Sequence, residues 1–125
     1  MSVSWIDYKE KKLLFINVAN LMNDHHSLKT DLETLVSLLK TERKNSVLAL
    51  ADLRNTHLSN EALIALMSHA PRAVPYFRKS ALVIEANYSR SIALDSFRFI
   101  IEKLPKRFSD LDAAKEWLVS EYAEH

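Results

Sequence analysis

Ser46-Val47-Leu48-Ala49-Leu50-Ala51-Asp52-Leu53, continued by Arg54-Asn55-Thr56-His57-Leu58-Ser59, is the stretch on which the fold turns. Seven of its first eight residues are apolar or small, and the only charge among them is Asp52. A short apolar run without clean alternation predicts a strand covered on both faces, as in a parallel sheet. In such sheets the loops at the carboxyl ends of the strands converge and carry ligand or regulatory groups. The working edge is therefore expected from Asp52 to Ser59. Ser59 suits the N-cap of the next helix, with Glu61 in the first turn complementing the macrodipole. Phosphorylation or partner contact at Ser59 is the functional alternative to simple capping.

Upstream, residues 3–8 alternate moderately and residues 12–18 (Lys-Leu-Leu-Phe-Ile-Asn-Val) are rich in β-formers. The charged segment Lys9-Glu10-Lys11-Lys12 between them predicts the turn of an opening hairpin. A polar loop over 19–26 leads into a helix over 27–43, with Leu28, Leu32, Leu35, Val36 and Leu39 on one apolar face. Asp31 and Glu33 near its start and Lys40, Arg43 and Lys44 near its end oppose the macrodipole.

Downstream, a helix over 60–70 turns Leu63, Leu66 and Met67 inward and is expected to end at Pro71. Residues 72–78 form a connector, and a strand follows over 79–86. A third helix is expected over 89–103, ended by Pro105, and then a short edge strand at Arg107-Phe108. Ser109-Asp110-Leu111-Asp112 is a capping-box pattern opening a last helix, with Ala113, Ala114, Trp117 and Leu118 toward the core. Trp5, Phe15 and Trp117 are expected in the core. The order is ββαβαβαβα: an α/β fold, a mostly parallel sheet with an N-terminal hairpin and about four helices. Residues 1–125 form a single domain, a size sufficient for one proper hydrophobic core.

Composition excludes several functions. There is no cysteine, so disulfides, thiolate zinc sites and thiol nucleophiles are absent. Glycine is also absent, which removes the usual phosphate loops and dinucleotide fingerprints. Left-handed backbone positions then fall to asparagine, with Asn45 and Asn87 the candidates. Seventeen basic and 16 acidic residues give a net charge of +1, which argues against a dedicated nucleic-acid binder. No apolar run approaches the roughly 18 residues of a membrane span, and a cytoplasmic location is expected.

The element order resembles the STAS domain, the SpoIIAA-like fold, over nearly the whole chain. Within it the chain is most similar to a bacterial branch of small stand-alone STAS/SEC14-like proteins without an assigned activity. The resemblance is carried by Lys12-Leu13-Leu14-Phe15-Ile16-Asn17, by residues 46–52, by Pro75-Tyr76-Phe77-Arg78-Lys79-Ser80-Ala81 and by the ending over 108–118. Anti-sigma factor antagonists of this fold carry a phosphorylatable serine at the start of the helix after the central strand. The matching position is Ser59, but Leu58 and Glu61 stand where that motif has aspartate and glycine. Glu85-Ala86-Asn87 likewise stands where the branch tends to have glycine.

No catalytic or metal constellation is evident. His25 and His26 are adjacent and lack an acidic partner at ligand spacing. Ser59, His57 and Asp52 can be written as a triad, but no nucleophile elbow or oxyanion motif accompanies them. His57 reads instead as a solvated loop residue lending mild pH sensitivity. The leading expectation is a non-enzymatic protein-interaction module in bacterial signalling, with no cofactor. Its surface would be Asp52, Arg54, Asn55, His57, Ser59 and Glu61 with the exposed side of the second helix. The alternative is a small anionic or lipid-like ligand at the basic-aromatic cluster Arg72, Tyr76, Arg78, Lys79, Tyr88 and Arg90. A homodimer is a further expectation, should one apolar sheet face lack a cover.

Overall fold

The computed structural model describes residues 2–18, 25–56, 60–85 and 105–120. Strand β1 (Ser2–Tyr8) is antiparallel to β2 (Lys11–Asn17), with Ser2 opposite Asn17 and Tyr8 opposite Lys11. Only Lys9 and Glu10 separate them, and both have positive φ, 49° and 68°. Two positive-φ central residues give the tight turn whose twist matches the strands. The expected four-residue turn is thus shorter, because Lys11 and Lys12 already pair with Tyr8 and Asp7.

Strands β3 (Val47–Asp52), β4 (Phe77–Val83) and β5 (Lys106–Phe108) continue the sheet, each parallel to the one before, in spatial order β1-β2-β3-β4-β5. The apolar run that opened the sequence reading is therefore the middle strand. Helices α1 (His25–Leu39), α2 (Asn60–Ala73) and α3 (Leu111–Val119) complete an α/β fold with three helices among the described residues. The helix expected over 89–103 and the left-handed Asn87 lie outside the described residues. None of the described helices is long and apolar enough to cross a membrane.

The sheet has a core on each face. Leu14, Ile16, Ala49 and Leu82 pack with Leu28, Leu32, Leu35 and Leu39 of α1 and with Ala62 and Ala73 of α2. On the other face Leu13, Leu50, Ala81 and Val83 meet Ala114 and Leu118 of α3. Leu13, Leu14, Leu50 and Val83 are fully buried, each contributing about 2 kcal/mol from apolar area removed from water. The second face of β3 and β4 thus has a cover in α3. Trp5, Phe15 and Trp117 are half-buried at the margins of these cores, and Ala113, expected inside, is exposed.

A β-bulge interrupts β4. Val47 pairs with Phe77 but Leu48 pairs with Lys79, so Arg78 is an extra residue. Phe77 therefore joins the α1/α2 core, while Lys79 turns with Ala81 and Val83 toward α3. Strand β4 begins two residues earlier than expected and ends at Val83, with Phe77 and Arg78 in the strand rather than the connector.

The helix ends also differ. Helix α1 starts at His25 and stops at Leu39, where Thr41 Oγ1 donates to the Leu38 carbonyl oxygen at 2.8 Å. Asp31, Glu33, Lys40, Arg43 and Lys44 consequently lie outside its first and last turns. Asn45 does take the left-handed position, φ 59°. Helix α2 runs through Pro71 to Ala73, and a 3-10 turn (Val74–Tyr76) follows. Pro71 stands in the last turn, where it forfeits one bond instead of breaking a long ladder. Helix α3 is capped by Asp110 rather than Ser109: its carboxylate accepts from the Ala113 N–H at 3.0 Å.

Candidate functional site

The carboxyl ends of the four parallel strands form a level edge. Val18 N–H donates to Asp52 O at 2.8 Å, Leu53 N–H to Val83 O and Ile84 N–H to Phe108 O, both at 2.9 Å. Each bond extends a ladder one residue past its strand, so the loops depart at one height. Asp52 ends β3, buried on the α3 side of the sheet by its alternation with Leu50.

A buried carboxylate requires paired donors. Arg54 supplies three. Its Nε donates to Oδ1 at 3.0 Å, its Nη2 to Oδ2 at 2.9 Å, and its backbone N–H to Oδ1 at 3.1 Å. The two side-chain bonds form the parallel fork that suits guanidinium and carboxylate. Bonding and charge from Asp52 raise the Arg54 guanidinium above its already high ordinary value.

The fork curls the chain so that Asn55 takes φ 51°. This is a left-handed position that the sequence reading does not single out. The Asn55 N–H then donates to the Glu85 carboxylate. Thr56 is buried, with Oγ1 2.7 Å from Val18 O and 3.0 Å from Arg54 O, its single proton serving either carbonyl. The loop leaving β3 is thereby tied to the segments leaving both neighbouring strands. Glu61 is exposed in the first turn of α2, and Ile64, one turn on, is 63% exposed.

The structure thus brings together Asp52, Arg54 and Asn55 and places Glu61 just beyond them; His57 and Ser59 lie outside the described residues. Both Asp52 oxygens are engaged by Arg54, so its carboxylate is an anchor for the loop. Thr56 and Glu85 are the residues that sequence reasoning missed. Nothing local marks Thr56. Glu85 was findable from register, since Asp52 pairs with Val83 and Glu85 then stands level with Arg54, one residue short of Asn55.

The second candidate group divides. Arg72 and Arg78 are exposed and Tyr76 is half-buried against the α1/α2 core, all at the amino end of β4. Lys79 is buried beneath α3, with Nζ 3.0 Å from Trp117 O, 2.9 Å from Ser120 O and 3.1 Å from Ser120 Oγ. Tyr88 and Arg90 lie outside the described residues.

Comparison with protein-family models, curated proteins and solved structures finds no match for this chain.

Proposed function

We propose that this protein is a STAS-like, non-enzymatic interaction module that works in regulation, with its protein partner seated on the loop after β3 and the exposed side of α2. The observation that supports this reading is the fork between Arg54 and Asp52. Together with the bonds of Asn55 and Thr56 it holds residues 53–56 before any partner arrives, so little ordering entropy opposes binding to them. Beside the loop, Glu61 and the 63% exposed Ile64 offer a charge and an apolar contact. An exposed isoleucine and a carboxylate one turn apart on α2 give a protein contact both an apolar and a charged anchor.

Replacing Arg54 is a poor test, because it holds a buried carboxylate and its loss damages the fold as well as the surface. The better experiment places a photoreactive residue at position 61 or 64 in the living host, with position 33 on α1 as control. A discrete protein adduct from 61 and 64, but not from 33, is expected. No adduct at either position overturns the reading. Ligand binding at the Arg72–Arg90 cluster gains no support from Lys79, whose ammonium lies under Trp117.

A further inference from the structure

The amino end of the sheet gathers cations from both faces, and the two faces use them differently. On the α3 side they have partners. Lys11 Nζ donates to Val119 O at 3.1 Å, Lys79 binds the Trp117 and Ser120 carbonyls, and Lys9 pairs with Glu116. Around the carboxyl ends of α1 and α2 and the start of β4, Lys40, Arg43, Lys44, Arg72 and Arg78 are all exposed, and none forms an ion pair or side-chain hydrogen bond among the described residues.

These five belong to one surface. Asn45 N–H donates to Pro75 O and Ser46 N–H to Tyr76 O, each at 3.0 Å, so the segment after α1 is stitched to the segment after α2. The Val47–Phe77 pair then continues the contact into the sheet. The only carboxylate in either segment is the half-buried Glu42. Five cations less one anion leave +4. The carboxyl ends of α1 and α2 both point here, and roughly half a negative charge from each still leaves about +3. The whole chain carries +1, so everything outside this patch sums to −3. The positive charge is thus concentrated rather than scattered, and compensation of two helix dipoles does not account for it.

We infer that this surface binds an acidic protein segment. The cations are spread over the segment after α1, the last turn of α2 and the start of β4, without a buried donor among them, as suits an extended run of carboxylates rather than one small anion. The nearby aromatic, Tyr76, packs against the core, so the stacking platform that single-stranded nucleic acid needs is missing among the described residues. Ile64, the exposed large apolar residue among those described, lies about 12 Å along α2 from Arg72, which leaves the patch nothing to insert into a bilayer. The surface lies at the opposite end of the strands from the loop at Asp52, so the two sites are independent.

The test is fluorescence anisotropy of the full chain with a labelled peptide of ten glutamates. Competitors are a single-stranded oligonucleotide, vesicles containing phosphatidylserine, and inorganic phosphate. The variant Arg43→Glu/Lys44→Glu is expected to bind about tenfold more weakly, as two attractions become repulsions. Lys29→Glu/Lys115→Glu changes net charge equally from other surfaces and is expected to bind within about twofold of the parent chain. Equal weakening by both pairs overturns the inference, since binding would then follow net charge alone. So does failure to bind the peptide, or tighter binding to the oligonucleotide, the vesicles or phosphate. Circular dichroism of each variant confirms that the fold is retained.

Discussion

Lys79 holds its ammonium 4.8 Å from the centre of the Trp117 ring while donating to the Trp117 carbonyl oxygen at 3.0 Å. One cation thereby grips the last helix twice, by its backbone and by its aromatic side chain. Helix α3 has no basic residue in its own last turn. Lys79, from a strand 38 residues earlier, places a positive charge at that negative dipole end.

Replacing Lys79 with Met keeps the aliphatic stem and removes the charge. The carbonyls of Trp117 and Ser120 lose a charged donor and the ring loses its cation. A loss of about 2–3 kcal/mol in urea unfolding is expected. Faster proteolysis near the carboxyl end of α3 should accompany it. Unchanged stability would show that water replaces the ammonium at no cost.

The Asp52–Arg54 pair should show coupling. The Asp52 side chain is 5% exposed and that of Arg54 42%, so the attraction is partly screened by solvent. Arg54→Met is expected to cost about 1–3 kcal/mol, chiefly by stranding the buried carboxylate. Asp52→Asn combined with Arg54→Met should cost less than the sum of the single changes. Strict additivity in that double-mutant cycle would remove the pair from the account.

Tyr8 and Glu116 give a pH signature. The Tyr8 hydroxyl donates to Glu116 Oε1 at 2.7 Å, and this bond, ahead of the other causes, pushes the phenol up to about 12. Bonding from Lys9 and then from Tyr8 holds the Glu116 carboxyl below its ordinary value. A raised tyrosine pKa adds stability below pH 10, lost as pH rises toward 12. A lowered glutamate pKa adds stability above about pH 4.5, lost as pH falls. Absorbance titration at 295 nm should show a late tyrosine component near pH 12 that Tyr8→Phe removes. A titration identical in the variant would mean that the bond does not persist in solution.

The hairpin turn offers a gain. Glu10 holds φ 68°, a conformation that costs a residue with a Cβ about 1 kcal/mol or more. Glu10→Gly relieves that strain but frees the unfolded chain, so a net gain of about 0.5–1 kcal/mol is expected, read as a higher Tm. A lower Tm would mean that Glu10 makes a contact outweighing its strain.

The legible parts of the fold were those written in local periodicity. Leu28, Leu32, Leu35, Val36 and Leu39 announce the buried stripe of α1, and residues 46–53 announce the central strand. Asn45 was legible because a chain without glycine has few residues suited to a left-handed position. Lys9, Glu10 and Asn55 were not singled out, since a short loop between fixed strands can impose positive φ on residues that do not prefer it. His69 is buried on the stripe with Ala62, Leu66 and Ala73, donating from Nδ1 to Ala65 O at 2.8 Å. The spacing carried that information, but the histidine hid it.

The candidate site was legible in location and not in wiring. Asp52 stands at a strand end by its place in the sequence, and Arg54 follows at the distance a fork needs. The ties from Thr56 to Val18 and from Asn55 to Glu85 join residues 38 and 30 positions apart. No local pattern encodes them. Lys79 misled for a different reason: a lysine between Arg78 and Ser80 reads as surface. Its burial depends on the bulge beside it and on a helix end far along the chain.

The extra residue at Arg78 works as a phase change in the strand. Upstream of it β4 turns Phe77 toward α1 and α2; downstream it turns Lys79 toward α3. With Arg78 held in plain alternation instead of the bulge, Phe77 and Lys79, two residues apart, would share a face, either putting Phe77 on the α3 side or driving the Lys79 ammonium into an apolar core. The start of β4 is thus a counted spacing: one residue added to or lost from the paired part of the strand trades the contents of the two faces, whereas losing Arg78 itself leaves Phe77 and Lys79 where they stand.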